Sequence, residues 1–286
     1  MSNSQGMNKK EVQLILNQLN VIPNKKLGQN FIVDSLLTKK IISISELNDN
    51  DIILEIGPGL GALTERLVKI VKKIYAVEID RKLFSFLKDK FSSFDNIEVI
   101  NGDILKIDIP KVNKVISNLP FTITGPIFEK VFFNDKPPHG ILTIEKSIAD
   151  RIFFRNEYKN FSRITVSINS FMNPIRKYKI SRNSFYPQPK IALSLIDIAS
   201  KNDLNDFLLN DKNREFYLRF LGGIMPYKNK NLVNALFLFL KNGIKLEIKK
   251  EDILSILHQK NIKNDKLNSF EIIDFVKICQ LIYKII

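Results

Sequence analysis

The hydrophobic pattern alternates between two periods. Residues 51–57 (DIILEIG) form a continuous apolar run closed by glycine, which predicts a buried strand. Leu60, Leu63, Leu67 and Val71 follow at helical spacing and predict a helix over 60–72. The same alternation repeats: a strand over 74–80, then a helix over 81–91 with Leu83, Phe84, Leu87 and Phe91 on one face, then a short strand over 96–101. Residues 114–118 and 141–145 read as a fourth and a fifth strand. Strands that alternate with helices in this way predict a parallel, doubly wound α/β sheet. Two apolar stretches, 174–182 and 191–198, flank the turn-rich segment Asn183 to Lys190 and could pair as an antiparallel edge. Val12 to Leu19 could form a short amphipathic helix. Beyond about residue 200 only helical periodicity remains, as in Ile272, Ile273, Phe275, Val276, Cys279 and Ile282. The expected division is an N-terminal extension over 1–22, an α/β domain over 23–200 and a helical domain over 201–286.

Composition narrows this picture. The chain has 286 residues, 44% hydrophobic and 26% charged, enough apolar material for a real core. No apolar run approaches the roughly 18 residues that a membrane span needs. The first 20 residues carry no secretory apolar core, so a cytosolic location is expected. A single cysteine excludes a disulfide framework and a cysteine-based zinc site, and predicts a buried, inert Cys279 thiol. With only two histidines, His139 and His258, both expected at the surface, no metal site is expected. The 44 Lys and Arg residues against 30 Asp and Glu give a net charge of +14, which favours a polyanionic partner such as nucleic acid. Half of that excess lies between Glu145 and Lys190, where ten Lys or Arg residues face three acids. Such cations hold phosphates without reading sequence. A solvated lysine face is the bland alternative for each of them singly.

Glu55-Ile56-Gly57-Pro58-Gly59-Leu60-Gly61 lies between a predicted strand and helix. Glycines there allow a sharp turn and close backbone approach to a ligand. The spacing E-x-G-x-G-x-G departs from the dinucleotide fingerprint. Glu78, at the end of the next strand, can accept hydrogen bonds from both hydroxyls of a ribose. Asp103, after the third strand, can accept from an adenine amino group, and Asp80 is placed to cap the following helix. Three polar features at successive strand ends converge on one crevice, and S-adenosylmethionine is the ligand that fits them best. Asn118-Leu119-Pro120-Phe121 follows the fourth strand. An adenine amine is a poor nucleophile because its lone pair is delocalised into the ring. The Asn118 amide oxygen and a backbone carbonyl held by Pro120 can accept from that amine and free the lone pair, and Phe121 can stack on the base.

These residues together resemble the KsgA-type ribosomal RNA adenine dimethyltransferases, which are related to the Erm resistance methyltransferases. The likeness runs from about Pro23 to the C-terminus. Lys25 to Ile32 (KKLGQNFI) is similar to the family's N-terminal motif, Glu55 to Gly61 to its glycine motif, Asn118 to Phe121 to its catalytic N-[LIV]-P-[YF], and Phe185 to Lys190 to its F-x-P-x-P-K stretch. The resemblance implies a seven-stranded Rossmann-like domain with a small helical domain. It implies that Asn30, Ile32, Gly57, Gly59, Glu78, Asp103 and Asn118 line the cofactor pocket and that Asn118, Pro120 and Phe121 hold the target adenine. It also implies dimethylation of two adjacent adenines near the 3′ end of small-subunit rRNA, in ribosome biogenesis. Tyr227 to Lys230 and Leu232 to Leu236 resemble the basic C-terminal motif of the KsgA branch, and Met225-Pro226-Tyr227 is similar to archaeal members. Arg151, Arg163, Lys190, Lys228 and Lys230 are the expected RNA contacts, with structural ion pairs as the alternative for Arg151 and Arg163. A monomer is expected. The chain departs from the pattern at Phe121, where Tyr is commoner, at Ile191-Ala192-Leu193 in place of V-D-S, and at Asn160 to Arg163 in place of Y-G-R. An Erm-like large-subunit rRNA methyltransferase and an RNA-binding assembly factor on the same fold are the alternative readings.

Overall fold

The computed structural model describes residues 7–153 and 161–286. The chain divides into two compact units. One comprises Met1–Phe132, Pro137–Ala149 and Pro174–Ser200; the other comprises Phe133–Lys136, Asp150–Asn173 and Lys201–Ile286.

Helix α1 (Lys9–Gln18) opens the first unit behind an Asn8 cap whose capping box is closed by Glu11. Its Val12 and Leu16, with Val21, pack on Phe31, Leu60 and Leu83. The expected extension is therefore built into the first unit rather than standing apart from it. Strand β1 (Phe31–Ile32) and helix α2 (Ser35–Ile44) follow. Asp34 caps α2, accepting from the backbone N–H groups of Leu36 and Leu37. Neither β1 nor α2 was expected from the sequence.

The sheet is then laid down by β2 (Ile52–Ile56), β3 (Lys73–Glu78), β4 (Ile97–Asn101), β5 (Lys114–Asn118), β6 (His139–Glu145), β7 (Met172–Ile180) and β9 (Leu193–Ser200). Between the last two lies β8 (Phe185–Tyr186), which pairs antiparallel with β1. The seven strands run in the order β4-β3-β2-β5-β6-β9-β7. β4 to β6 are parallel along this order, and β9 is antiparallel to β6. The central strands are covered on both faces: Ile53, Leu54, Val115 and Ile116 are fully buried. Each such side chain contributes about 1.5–3 kcal/mol of transfer free energy.

Two helices on the sheet show how far the periodicity carries. α4 (Arg81–Lys90) forms as predicted, with Asp80 as its cap. The helix expected over 60–72 is reduced to α3 (Thr64–Leu67) flanked by turns. The predicted face is nevertheless buried, Leu60, Leu63, Leu67 and Val71 all lying in the core. The glycine turn shortens the helix: Gly57, Gly59 and Gly61 all have positive φ, and a Cβ on Gly61 would meet the Phe91 ring at 2.8 Å. α5 (Thr124–Phe132) and α6 (Lys146–Ile152) complete the strand connections.

The other unit contains α7 (Arg163–Phe171), α8 (Asp206–Leu209), α9 (Asp211–Ile224), α10 (Leu232–Leu238), α11 (Lys250–Gln259) and α12 (Ile272–Tyr283). Its division differs from the single boundary near residue 200: Phe133–Lys136 and Asp150–Asn173 group with the C-terminal helices. The reason is the buried face of α7. Ser170 Oγ lies 2.7 Å from the Tyr217 hydroxyl of α9, and Phe171 pairs with the Tyr217 ring. Cys279 is fully buried, and burial holds its thiol far above its ordinary range, as expected of an inert side chain.

Candidate active site

Strand order places the site. From β2 the chain winds outward through β3 and β4, then returns to β5 on the other side of β2 and winds out through β6. This reversal between β2 and β5 leaves a crevice beyond their C-terminal ends, where open α/β sheets bind ligands. The glycine turn follows β2 and Asn118-Leu119-Pro120-Phe121 follows β5, so the two motifs flank the crevice. Register aligns the rest: Glu78 stands opposite Asn101 at the ends of β3 and β4, and Asn118 opposite Thr143.

A pocket opens there. Asn30, Ile32, Gly57, Gly59 and Asn118 line it, together with Glu55 and Met7, which the sequence reasoning had not chosen. Glu78, Asp103, Pro120 and Phe121 do not line this cavity. Glu78 reaches it through Gly59, whose N–H donates to Glu78 Oε2 at 3.1 Å, while the Asp80 N–H donates to Oε1 at 3.0 Å. An ionised carboxylate accepts about four hydrogen bonds, so acceptor capacity remains. Burial pushes Glu78 up to about 7 against the backbone hydrogen bonds of Asp80, Gly59 and Ile79. Asp103 accepts from the Leu105 N–H at 3.0 Å through one oxygen, with the Lys106 ammonium 4.0 Å from the other.

Of the described residues whose buried side-chain oxygens lack a partner, Asn118 is the one that lines the pocket. Its Nδ2 donates to the Asn30 carbonyl at 2.9 Å, which fixes the orientation of the amide. Its Oδ1 is buried and has no hydrogen-bond partner. A buried acceptor left unpaired costs about 1–3 kcal/mol, and such groups call for a functional explanation. The wall around it is tight: Asn30 Nδ2 holds the Gly28 carbonyl at 3.0 Å, and Gly28, at φ +64°, would bring a Cβ to 3.2 Å from Pro120. Pro120 holds φ −59°, and Phe121 is half-buried, packed on the core. The orphaned oxygen, the glycine cradle and the remaining acceptor capacity of Glu78 fit an adenosyl ligand.

Glu55 stands in the glycine motif, yet the sequence alone points to no role for it. It is buried and accepts from Thr64 Oγ1 at 2.7 Å; burial pushes its carboxyl up to about 8, with the charge of Glu78 adding to the shift. A carboxyl whose folded pKa exceeds its unfolded value binds more protons folded than unfolded. Its contribution to stability is intact below about pH 4.5 and is lost as pH rises through about 8. Glu55→Gln, which keeps the shape without the charge, should therefore raise stability by on the order of 2–4 kcal/mol at pH 9 and change it little at pH 5. Equal melting temperatures for both proteins at both pH values would refute this.

The expected RNA contacts fall in both units. Lys190, in the first, is exposed, and its carbonyl accepts from Arg182 at 3.2 Å. In the second, Arg151 and Lys230 are exposed. Lys228 donates to the Phe161 carbonyl at 2.6 Å and Arg163 to the Leu218 carbonyl at 3.4 Å, so both brace backbone within that unit. Arg155, Glu157, Lys159 and Asn160 lie outside the described residues. His139 departs from its expected surface position: it is half-buried, 2.6 Å from Asp197, which also holds Arg176 at 2.7 Å. The two residues meet because β6 and β9 are neighbours. His258 is exposed as expected.

A sheet of this order, with a glycine turn after one central strand and a paired acid at the end of the next, defines the S-adenosylmethionine-dependent methyltransferases of Rossmann-like fold. The family model for ribosomal RNA adenine dimethylase matches residues 21–278, and the chain belongs to that family. A ribosomal RNA small subunit methyltransferase A of Natranaerobius thermophilus is 31% identical over 264 residues, covering 84% of this chain and 86% of its own length. A probable enzyme of that name from Pyrococcus furiosus is 31% identical over 251 residues, covering 88% and 84%. Among solved structures, a dimethyladenosine transferase from Plasmodium falciparum shares the fold with a TM-score of 0.74 at 22% identity, covering 89% of this chain and 98% of its own. The 23S rRNA methyltransferase ErmE shares it at 0.62 and 21%, covering 88% and 99%.

Proposed function

We propose that the chain dimethylates the exocyclic amino groups of two adjacent adenines near the 3′ end of small-subunit rRNA, as a step in ribosome biogenesis. The observation that carries this reading is the buried, unpartnered Oδ1 of Asn118, fixed in place by the Asn30 carbonyl beside the glycine turn. The relatives named for small-subunit rRNA supply the choice of substrate.

Gly57 and Gly59 hold the cofactor by close backbone approach, Glu78 takes the ribose hydroxyls, Asp103 takes the adenine amino group, and Asn30 and Ile32 close the wall. When bound, S-adenosylmethionine supplies an electrophilic methyl on a sulfonium. Asn118 Oδ1 accepts one N–H of the target amine and the Leu119 carbonyl, set by Pro120, accepts the other. Withdrawing both protons into hydrogen bonds turns the nitrogen lone pair out of the ring toward the methyl. Phe121 stacks on the base; a stacking face needs no hydroxyl, so Phe serves where Tyr is commoner. Orientation supplies most of the acceleration. The proton lost by the alkylated nitrogen is acidic enough to leave to solvent without a general base. The exposed cations Arg151, Lys190 and Lys230 hold phosphates. The protein acts as a cytoplasmic monomer; among the described residues no helix is long and apolar enough to cross a membrane.

The test offers methyl-labelled cofactor with unmethylated small subunits and, separately, with naked large-subunit rRNA, then digests both to nucleosides. Dimethyladenosine from the small subunit alone is the expected result. Label in the large-subunit RNA alone would place the chain with the Erm enzymes and overturn the reading.

A further inference from the structure

A second concavity adjoins the cofactor pocket on the outer side of the first unit. Two helical faces form it. Lys39, Ile42 and Ser43 lie at i, i+3 and i+4 on α2, and Ala62, Glu65, Arg66, Lys69 and Ile70 continue the same spacing through α3 and its flanking turns. The opposite faces, Leu37, Ile41 and Ile44 on α2 and Leu63, Leu67 and Val71 around α3, are buried in the core, so these two faces point outward. Between them lies an open trough. Its floor is apolar, with Ile42, Ala62 and Ile70, and Ile70 is 37% exposed. Its rim is cationic. Among the described residues, Lys39, Arg66 and Lys69 form no ion pair, while the one rim acid, Glu65, is paired with Lys90 at 3.2 Å. Met7 and Ala62 line both this trough and the cofactor pocket.

We propose that this trough is an RNA-strand site, in which Lys39, Arg66 and Lys69 hold phosphates and the apolar floor receives a base or sugar face, anchoring the strand beside the pocket where its adenine reacts. This rests on the reading of the chain as an RNA-adenine methyltransferase. Charge decides the occupant: three unpaired cations around an apolar floor match a phosphodiester chain, whose charges recur along it and whose bases are flat and weakly polar. Met7 and Ala62 line both the trough and the cofactor pocket, so the two adjoin and a strand delivering its adenine to Asn118 has a place beside it for its neighbouring nucleotides. None of the three cations touches the groups assigned to cofactor or target base, so the site adds affinity without altering the chemistry.

The test is the variant K39E/R66E/K69E, with the neutral K39Q/R66Q/K69Q beside it in case charge reversal disturbs folding. With unmethylated small subunits as substrate, the KM for subunits should rise at least tenfold, while kcat stays within about twofold and cofactor affinity by calorimetry is unchanged. With a naked rRNA hairpin carrying the adenines as probe, the slope of log K against log salt should become shallower by about 2 in the neutral variant, three phosphate contacts at about 0.7 each on a single strand. The conservative variant K39R/R66K/K69R should restore both. An unchanged KM and slope would overturn the proposal. A raised KM on subunits with an unchanged hairpin slope would also overturn it, assigning the trough to a ribosomal protein. If the wild-type protein labels no subunit, the proposed function fails on its own, and the hairpin slopes still decide the trough.

Discussion

Asn118→Ala loses turnover and keeps its cofactor. The expected drop in kcat is about 10²–10³, the scale seen when one preorganised hydrogen-bonding group is removed from a reaction centre. Cofactor affinity should stay within about threefold, because the substitution leaves Gly57, Gly59 and Glu78 in place. The lost acceptor is specific. Among the described residues Oδ1 has no partner, so its deletion breaks no internal bond; the bond given up is Nδ2 to the Asn30 carbonyl. An unpaired buried acceptor is destabilising, so the variant should be as stable as the parent or slightly more so. That combination separates a catalytic from a structural role: a structural asparagine would lose stability with activity. Asn118→Asp sharpens the point. It restores an acceptor but removes the donor, setting a carboxylate oxygen against the Asn30 carbonyl, and should recover little turnover. Near-normal kcat for Asn118→Ala, by single-turnover methyl transfer, would refute the role.

The central strands were readable because their burial is close to continuous. Ile52 to Ile56 is buried almost throughout, and a run of that kind closed by glycine has few alternatives. The helix over 60–72 shows the limit of periodicity. Leu60, Leu63, Leu67 and Val71 recur as a helix demands and are all buried, yet positive φ at Gly57, Gly59 and Gly61 winds the first part as turns. A helix and a succession of turns can bury the same residues. β1 and β8 are two residues each, too short for any pattern, although they pair the N-terminal motif with the Phe185 to Lys190 stretch. α2 went unseen because its β-branched Ile41 and Ile42 weaken a helical reading that Asp34, as cap, restores. The second unit's claim on Asp150–Asn173 rests on contacts such as Ser170 with Tyr217, 47 residues apart, which no local pattern carries. The site was the more legible part. Asn118, Glu78 and the glycines stand at strand ends, and strand ends were what the sequence placed best. Glu55 was not assigned because its distinction is energetic: a buried carboxyl facing Thr64 looks, in sequence, like any motif acid.

Glu78→Ala should weaken S-adenosylmethionine binding by about 10²–10⁴. Two hydrogen bonds from ribose hydroxyls to a carboxylate contribute about 1.5–3 kcal/mol each, and every 1.4 kcal/mol is tenfold in Kd. The pH dependence is more diagnostic than the magnitude. Burial holds the Glu78 carboxyl at about 7 in the free protein. Hydroxyl donors favour the ionised form, so binding lowers that value and expels a proton where the group is still protonated. Affinity should therefore rise as pH increases from about 6 through 7 and level off above about 8. Calorimetry in buffers of different ionisation enthalpy would detect the released proton directly. Glu78→Gln keeps the shape and part of the hydrogen bonding but cannot ionise, so its affinity should be intermediate and flat with pH. The alternative role is local: Glu78 accepts from the N–H groups of Gly59 and Asp80 and so braces the glycine turn. A residue that only braced the turn would lower the melting temperature on substitution, and its loss would weaken cofactor binding without removing the pH dependence. A pH profile that survives in Glu78→Gln would therefore assign the titration to another group and leave Glu78 as a brace.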